Sequence, residues 1–244
     1  MLQMRRTFLG LTGLVLALCC QPLMADSSAV TEDHVRQLLR DTTTFWTQEF
    51  SAMHGRYAAP RITFYSDALR RACKLPFDAL GPFYCPANQH VYIDQAYLAE
   101  GISRAGSAAS ALTAYVIGHE VAHHVQAING TTAAVEQARS RSSPELATRT
   151  LNTMELQADC YAGLWLGWAQ SHGKMLKSAE LPRVLSIIAD VSRQRQSLAS
   201  ANQQLVDPLT HGTETQRLHW LQLGMESGKF TDCDTFAAES AGKL

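Results

Sequence analysis

Between Ala108 and Ile128 the chain runs for 21 residues without a proline and with Glu120 as its one formally charged side chain. Rich in Ala, Leu, Val and Ile, this run reads as a mostly buried helix, and Asn129-Gly130 behind it suits a left-handed terminus. A helix buried on most of its faces must be surrounded, so the remainder of the chain has to supply a sizeable core. With 244 residues, 46% hydrophobic and 18% charged, it has the material to do so.

Polar side chains set into such a helix need partners, because a buried polar group left unpaired costs about 1–3 kcal/mol. The run contains His119-Glu120-Val121-Ala122-His123. Positions i and i+4 lie on one helical face about 5–6 Å apart, so the two imidazoles can converge on one zinc ion at roughly 2.0–2.1 Å. Glu120 flanks the same face and can reach a metal-bound water as general base. Chance alone produces this short pattern in on the order of one sequence per hundred of this composition, so the surroundings must carry the argument.

A catalytic zinc usually keeps three protein ligands and one open position. A third histidine six residues after the second is excluded, since Gln126 and Asn129 stand where that pattern requires Gly and His. The next helix offers Glu155 and Asp159, two acids one turn apart. Glu155 suits a ligand, and Asp159 suits the acceptor of a ligand histidine's free ring N–H, which fixes the tautomer and raises basicity. Leu156, Ala158, Tyr161, Ala162, Trp165 and Trp168 leave this helix little solvated face. The expected centre is one Zn2+ per chain on His119, His123 and Glu155, with Glu120 as base and Asp159 behind the ligands.

Elsewhere, Thr31-Glu32-Asp33 reads as a helix start. Val35, Leu38, Leu39, Phe45, Trp46 and Phe50 follow at helical spacing, and Gly55 and Pro60 close the helix. Arg61 to Tyr65 alternates as a strand, and Phe83 to Cys85 with His90 to Ile93 predicts an antiparallel hairpin across Pro86-Ala87-Asn88-Gln89. Asp94 is placed to cap a short helix. Thr131 to Ser142 reads as a polar stretch, Ser143-Pro144-Glu145 announces a helix running to about His172-Gly173, and further helices are expected around 185–198 and 214–225. The fold class is therefore mainly helical α+β, a metal-site helix packed on a second ligand-bearing helix with a small antiparallel hairpin or sheet.

Residues 1–25 read as an export leader: basic Arg5-Arg6, an apolar run from Phe8 to Cys20, and Ala25 before Asp26 as a cleavage point. The run of about 13 residues falls short of the roughly 20 needed to span a bilayer. Arg5-Arg6-Thr7-Phe8-Leu9 resembles a twin-arginine signal, with an ordinary secretory leader as the alternative. Residues 26–244 then form a single exported domain, periplasmic or secreted. Cys73, Cys85, Cys160 and Cys233 remain in it, and of their three possible pairings we expect Cys73 with Cys85 and Cys160 with Cys233. Formal net charge is −1, and −3 once Arg5 and Arg6 leave with the leader, which gives no basic field for nucleic acid.

Ordered blocks carry a wider likeness. Gly81-Pro82-Phe83-Tyr84-Cys85-Pro86, Tyr92-Ile93-Asp94, Ala114 to Glu120 with His123-His124-Val125-Gln126, Glu155 to Gly163, Thr210-His211-Gly212 with Arg217, and Cys233-Asp234-Thr235-Phe236 together resemble the neutral zinc metallopeptidase family of bacteria. The blocks span roughly residues 81–236. Asn88, and Ile188-Ala189-Asp190-Val191 in the later helix, depart from the family pattern. The resemblance implies a zinc-dependent peptidase with His119, His123 and Glu155 as ligands and Glu120 as base. The Thr-His-Gly block with its following Arg also looks like a segment of small membrane-linked gluzincins, which implies that His211 helps hold the oxyanion. The expected function is hydrolysis of peptide bonds in a peptide or protein substrate. The rivals are an exported zinc hydrolase of cell-wall peptides and a non-catalytic, zinc-stabilised binding or assembly factor.

Overall fold

The computed structural model describes residues 32–66, 73, 81–174, 178–199 and 211–244. The leader expected over 1–25, the Thr31 cap and Thr210 lie outside the described residues. Helix α1 (Glu32–Ala52) opens on Glu32 and Asp33, which favour the positive end of its dipole, and buries Val35, Leu38, Thr42, Phe45 and Trp46 along one stripe. Trp46 meets the ring of Tyr161 edge to face at 5.8 Å.

Strands β2 (Phe83–Cys85) and β3 (His90–Asp94) form the expected antiparallel hairpin. Asn88 in its turn accepts the His90 N–H through Oδ1 and donates from Nδ2 to the Tyr92 hydroxyl. Strand β1 (Arg61–Tyr65) adds itself parallel to β3, so the sheet is mixed and ordered β1-β3-β2. Local alternation identifies β1 as a strand but carries no information about a parallel partner 29 residues away, Arg61 opposite His90. The Cys73–Cys85 disulfide fastens the end of β2.

Asp94 caps α2 (Gln95–Ala105), accepting the Tyr97 N–H at 2.9 Å. Its other oxygen takes the Gly81 N–H at 3.3 Å and the Arg195 guanidinium at 2.8 Å. Gly81 sits at φ +93°, a conformation side chains resist, and the Tyr65 hydroxyl donates to its carbonyl. These contacts fix the Gly81-Pro82 turn at the edge of a cleft.

After a 3-10 turn at Gly106–Ala108 comes α3 (Ala109–Ile128), buried along nearly its whole length. The segment read as a polar stretch is instead α4 (Thr131–Arg139). The Asn129 carboxamide accepts the Thr131 N–H at its start, and Val135, 3% exposed, anchors it, so one apolar residue and a side-chain bond suffice where composition gave no helical signal. Ser143 caps α5 (Pro144–Ser171), with Pro144 in its first turn. Helix α6 (Leu181–Ala199) begins four residues before the expected Leu185, because Leu181 and Val184 also reach the core.

A capping box of Thr213 and Gln216 starts α7 (Glu214–Ser227). Helices α5 and α7 cross with their backbones in contact: a Cβ on Gly163 would strike the Leu221 carbonyl, and one on Gly224 the Cys160 carbonyl. The Cys160–Cys233 disulfide ties α5 to the 3-10 turn Phe230–Cys233, after which Asp234 caps a short α8 (Thr235–Ser240) that the sequence reading omits. Two disulfides belong to the chemistry of an oxidising, exported setting. No described helix is long and apolar enough to cross a membrane.

Candidate metal centre

His119 and His123 occupy successive turns of α3, and Glu155 and Asp159 successive turns of α5. Because α3 packs directly on α5, the two pairs face one another. Nε2 of His119 lies 3.1 Å from Glu155 Oε2, Nε2 of His123 lies 3.3 Å from the same oxygen, and the two Nε2 atoms are 3.2 Å apart. Ligands at 2.0–2.1 Å in a tetrahedron are separated by about 3.3 Å. The triangle of atoms has the dimensions of a metal-ligand face.

The outer nitrogens decide which way the lone pairs point. His119 Nδ1 is 2.9 Å from Asp159 Oδ1, an acceptor, so Nδ1 keeps its proton and Nε2, which faces Glu155, is the nitrogen that a metal would take in exchange for a proton. His123 Nδ1 is 2.8 Å from Gln126 Oε1. The Gln126 Nε2 donates to the Met154 carbonyl and to Gln157 Oε1, which fixes the amide's orientation and again places the proton on Nδ1. Both imidazoles thus turn Nε2 inward, toward Glu155. Asp159 is fully buried and also accepts from the Tyr115 hydroxyl and from Arg217 Nε at 3.0 Å, while Arg217 donates in addition to Tyr115.

His211 arrives from the chain ahead of α7. Its Nε2 is 3.3 Å from Glu155 Oε2, and His119, Glu155 and His211 offer ligating atoms all within 4.8 Å of one another. Its side chain is 38% exposed, against 5% for His119 and 3% for Glu155, so it stands at the solvent side of the cluster. Glu120 lines a cleft of about 340 Å³ with Pro82, Val116, Ile188, Ser192 and His211. His124 turns away from the cluster: it is fully buried and bonds the Tyr84 hydroxyl and the Ala58 carbonyl, as a core residue does.

Charge follows this geometry. Burial alone would lift the Glu155 carboxyl, but the imidazoles of His123, His211 and His119 hold it well below the usual carboxylate range. Burial opposes a charge on His119, yet the hydrogen bonds to Asp159 and Glu155 prevail and push it up to about 10. Asp159, desolvated but facing Arg217 and His119, is held down at about 2. Glu120 moves the other way: burial raises its carboxyl, countered in part by His119, His123 and a hydrogen bond from the Tyr84 backbone. Two imidazole nitrogens, once deprotonated, and a carboxylate oxygen make a borderline donor set that suits zinc.

A sequence model described as "Putative neutral zinc metallopeptidase" matches residues 19–236. The chain belongs to that family. It is similar to uncharacterized protein YpfJ of Escherichia coli K12, 34% identical over 199 residues that cover 82% of this chain and 69% of that protein. Uncharacterized proteins Mb2605 of Mycobacterium bovis and Rv2575 of Mycobacterium tuberculosis are each 30% identical over 196 residues, 76% of this chain and 65% of theirs. No solved structure matches the chain. Membership in a zinc metallopeptidase family implies zinc, and the His119, Glu155 and His211 group is one such an ion could occupy.

Tyr115, Gln126, Gln157 and Arg217 stood in the sequence blocks with no role of their own. The signal was present in part, since a glutamine or arginine buried among apolar neighbours needs a partner. Which partner it finds depends on how α3, α5 and α7 meet.

Proposed function

We propose that this protein is an exported zinc-dependent peptidase, with His119, His123 and Glu155 holding the metal and Glu120 as the general base. The observation that carries the reading is the triangle of His119 Nε2, His123 Nε2 and Glu155 Oε2, with edges of 3.1–3.3 Å and both Nδ1 protons already committed outward. When bound there, zinc supplies a Lewis acid and a water with its pKa lowered towards neutrality.

The chain's own residues supply the rest. Glu120, held by the Tyr84 backbone and raised by burial, takes a proton from the attacking water and returns it to the leaving amine. Asp159, itself gripped by Arg217 and Tyr115, keeps the His119 ring in one tautomer. His211, at the mouth of the cluster, donates to the oxygen that gains charge in the tetrahedral state. The substrate is a peptide or protein outside the cytoplasm, in the periplasm if the leader directs Sec or twin-arginine export.

A second reading, a non-catalytic zinc-stabilised binding factor, is favoured by one observation, the approach of His211 to Glu155. A fourth protein ligand closes a zinc site, as in structural zinc centres. Glu120 in the cleft wall favours the peptidase, because a closed site has no use for a base.

Glu120→Gln separates these outcomes. It should retain about one zinc per chain and lose hydrolysis of an unfolded protein such as casein, while His119→Ala loses the metal. A wild-type protein that holds no metal after incubation with zinc would refute the peptidase reading.

A further inference from the structure

His119 is held by a carboxylate, whereas His123 is held by a carboxamide, and that carboxamide is the first link of a buried chain. His123 Nδ1–H donates to Gln126 Oε1 at 2.8 Å, Gln126 Nε2 donates to Gln157 Oε1 at 3.1 Å, and Gln157 Nε2 donates to the Cys233 carbonyl at 3.2 Å. Gln126 is fully buried and Gln157 is 6% exposed. The Gln126 amide is held at two points, the Met154 carbonyl at 2.8 Å and Gln157 Oε1, and Gln157 is in turn oriented by the Cys233 carbonyl, so the far end secures the second of the two.

That far end is anchored twice to α5. Cys233 is bonded to Cys160, one turn beyond Gln157 on the same helix, and Thr235 donates to the Thr153 carbonyl at 2.8 Å. Apolar residues of equal volume would fill this space without desolvating two carboxamides, whereas a fully paired buried network defines one geometry. The geometry defined here is a His123 ring with its Nδ1–H on Gln126 and its Nε2 directed at Glu155.

We propose that Gln126 and Gln157 are positioning residues for His123 and that the Cys160–Cys233 disulfide is the anchor of this relay, so that opening the disulfide loosens the metal site through His123. The proposal rests on the reading of His119, His123 and Glu155 as metal ligands. Outer partners of ligating histidines commonly contribute 10–100-fold to metal affinity.

The test is a double-mutant cycle on the full-length oxidised protein, reading the zinc Kd by competition with a chromophoric chelator. Gln157→Met and the pair Cys160→Ala with Cys233→Ala should each weaken zinc binding by about 10–100-fold, and the combination should be little weaker than either alone. Gln126→Met should abolish the slowly exchanging Nδ1–H proton resonance of His123, a signature that a merely volume-filling role would leave in place. An unchanged Kd in Gln157→Met, or effects that multiply in the combination, overturns the relay. Should the cysteine variant fail to fold, Gln157→Met, with its disulfide intact, carries the test by itself. A wild-type chain that binds zinc while Gln157→Met binds it equally well sinks the relay alone; a wild-type chain that binds no zinc sinks the peptidase reading with it.

Discussion

The carboxylate of Asp159 stands between His119 Nδ1, 2.9 Å from one oxygen, and Arg217 Nε, 3.0 Å from the other. One buried acid therefore joins α3, α5 and α7 and sets the tautomer of a candidate ligand. Because it is fully buried, its partners have no water to fall back on.

Asp159→Ala is expected to leave the Arg217 guanidinium buried without the carboxylate that balances its charge, at about 3–5 kcal/mol of stability. Zinc affinity should fall about 10–100-fold at the same time as the His119 ring loses its acceptor. Denaturant melts of the metal-stripped protein and chelator competition measure the two separately. Asp159→Leu combined with Arg217→Met should recover much of the stability and none of the affinity.

The acid limb of stability follows from the same residue. The Asp159 carboxyl is lowered from 3.8 to about 2, so its contribution is fully present above about pH 4 and is lost as pH falls from there through 2. His119 has the opposite sign: raised from 6.5 to about 10 in the zinc-free protein, it contributes below pH 6.5 and the contribution is lost as pH rises through 10. Melts of metal-stripped protein across these ranges should show both limbs. Zinc must displace the His119 proton, so its apparent affinity should climb with pH between about 6 and 10.

Replacing Gly224 tests the helix crossing that delivers His211 and Arg217. A single methyl there meets the Cys160 carbonyl, a backbone atom that cannot swing aside. Gly224→Ala should cost at least about 1–3 kcal/mol, read as a lower denaturation midpoint. It should weaken zinc binding too, through displacement of Arg217 from Asp159.

His211→Ala distinguishes an oxyanion donor from a fourth ligand. As a donor, its loss should lower kcat by about 10²–10³ with zinc affinity nearly unchanged. A large loss of zinc affinity with the same substitution would favour the closed, structural site.

What was legible in the sequence is what depends on local spacing. His119 and His123 share a helical face because 3.6 residues make a turn, and the caps at Asp94 and Ser143 are bonds across three residues. The Phe83–Cys85 and His90–Asp94 hairpin needed only its turn. Glu155 and Asp159 were legible as two acids one turn apart on a mostly apolar helix, and the family blocks added His211, without saying how near any of them comes to the histidines. Tertiary structure alone decided the parallel partner of β1, the helix over Thr131–Arg139 and the roles of Gln126, Gln157, Tyr115 and Arg217. A hydrogen bond between side chains acts over about 3 Å, so a residue's partner across 31 or 102 positions of chain exists only once the helices have packed.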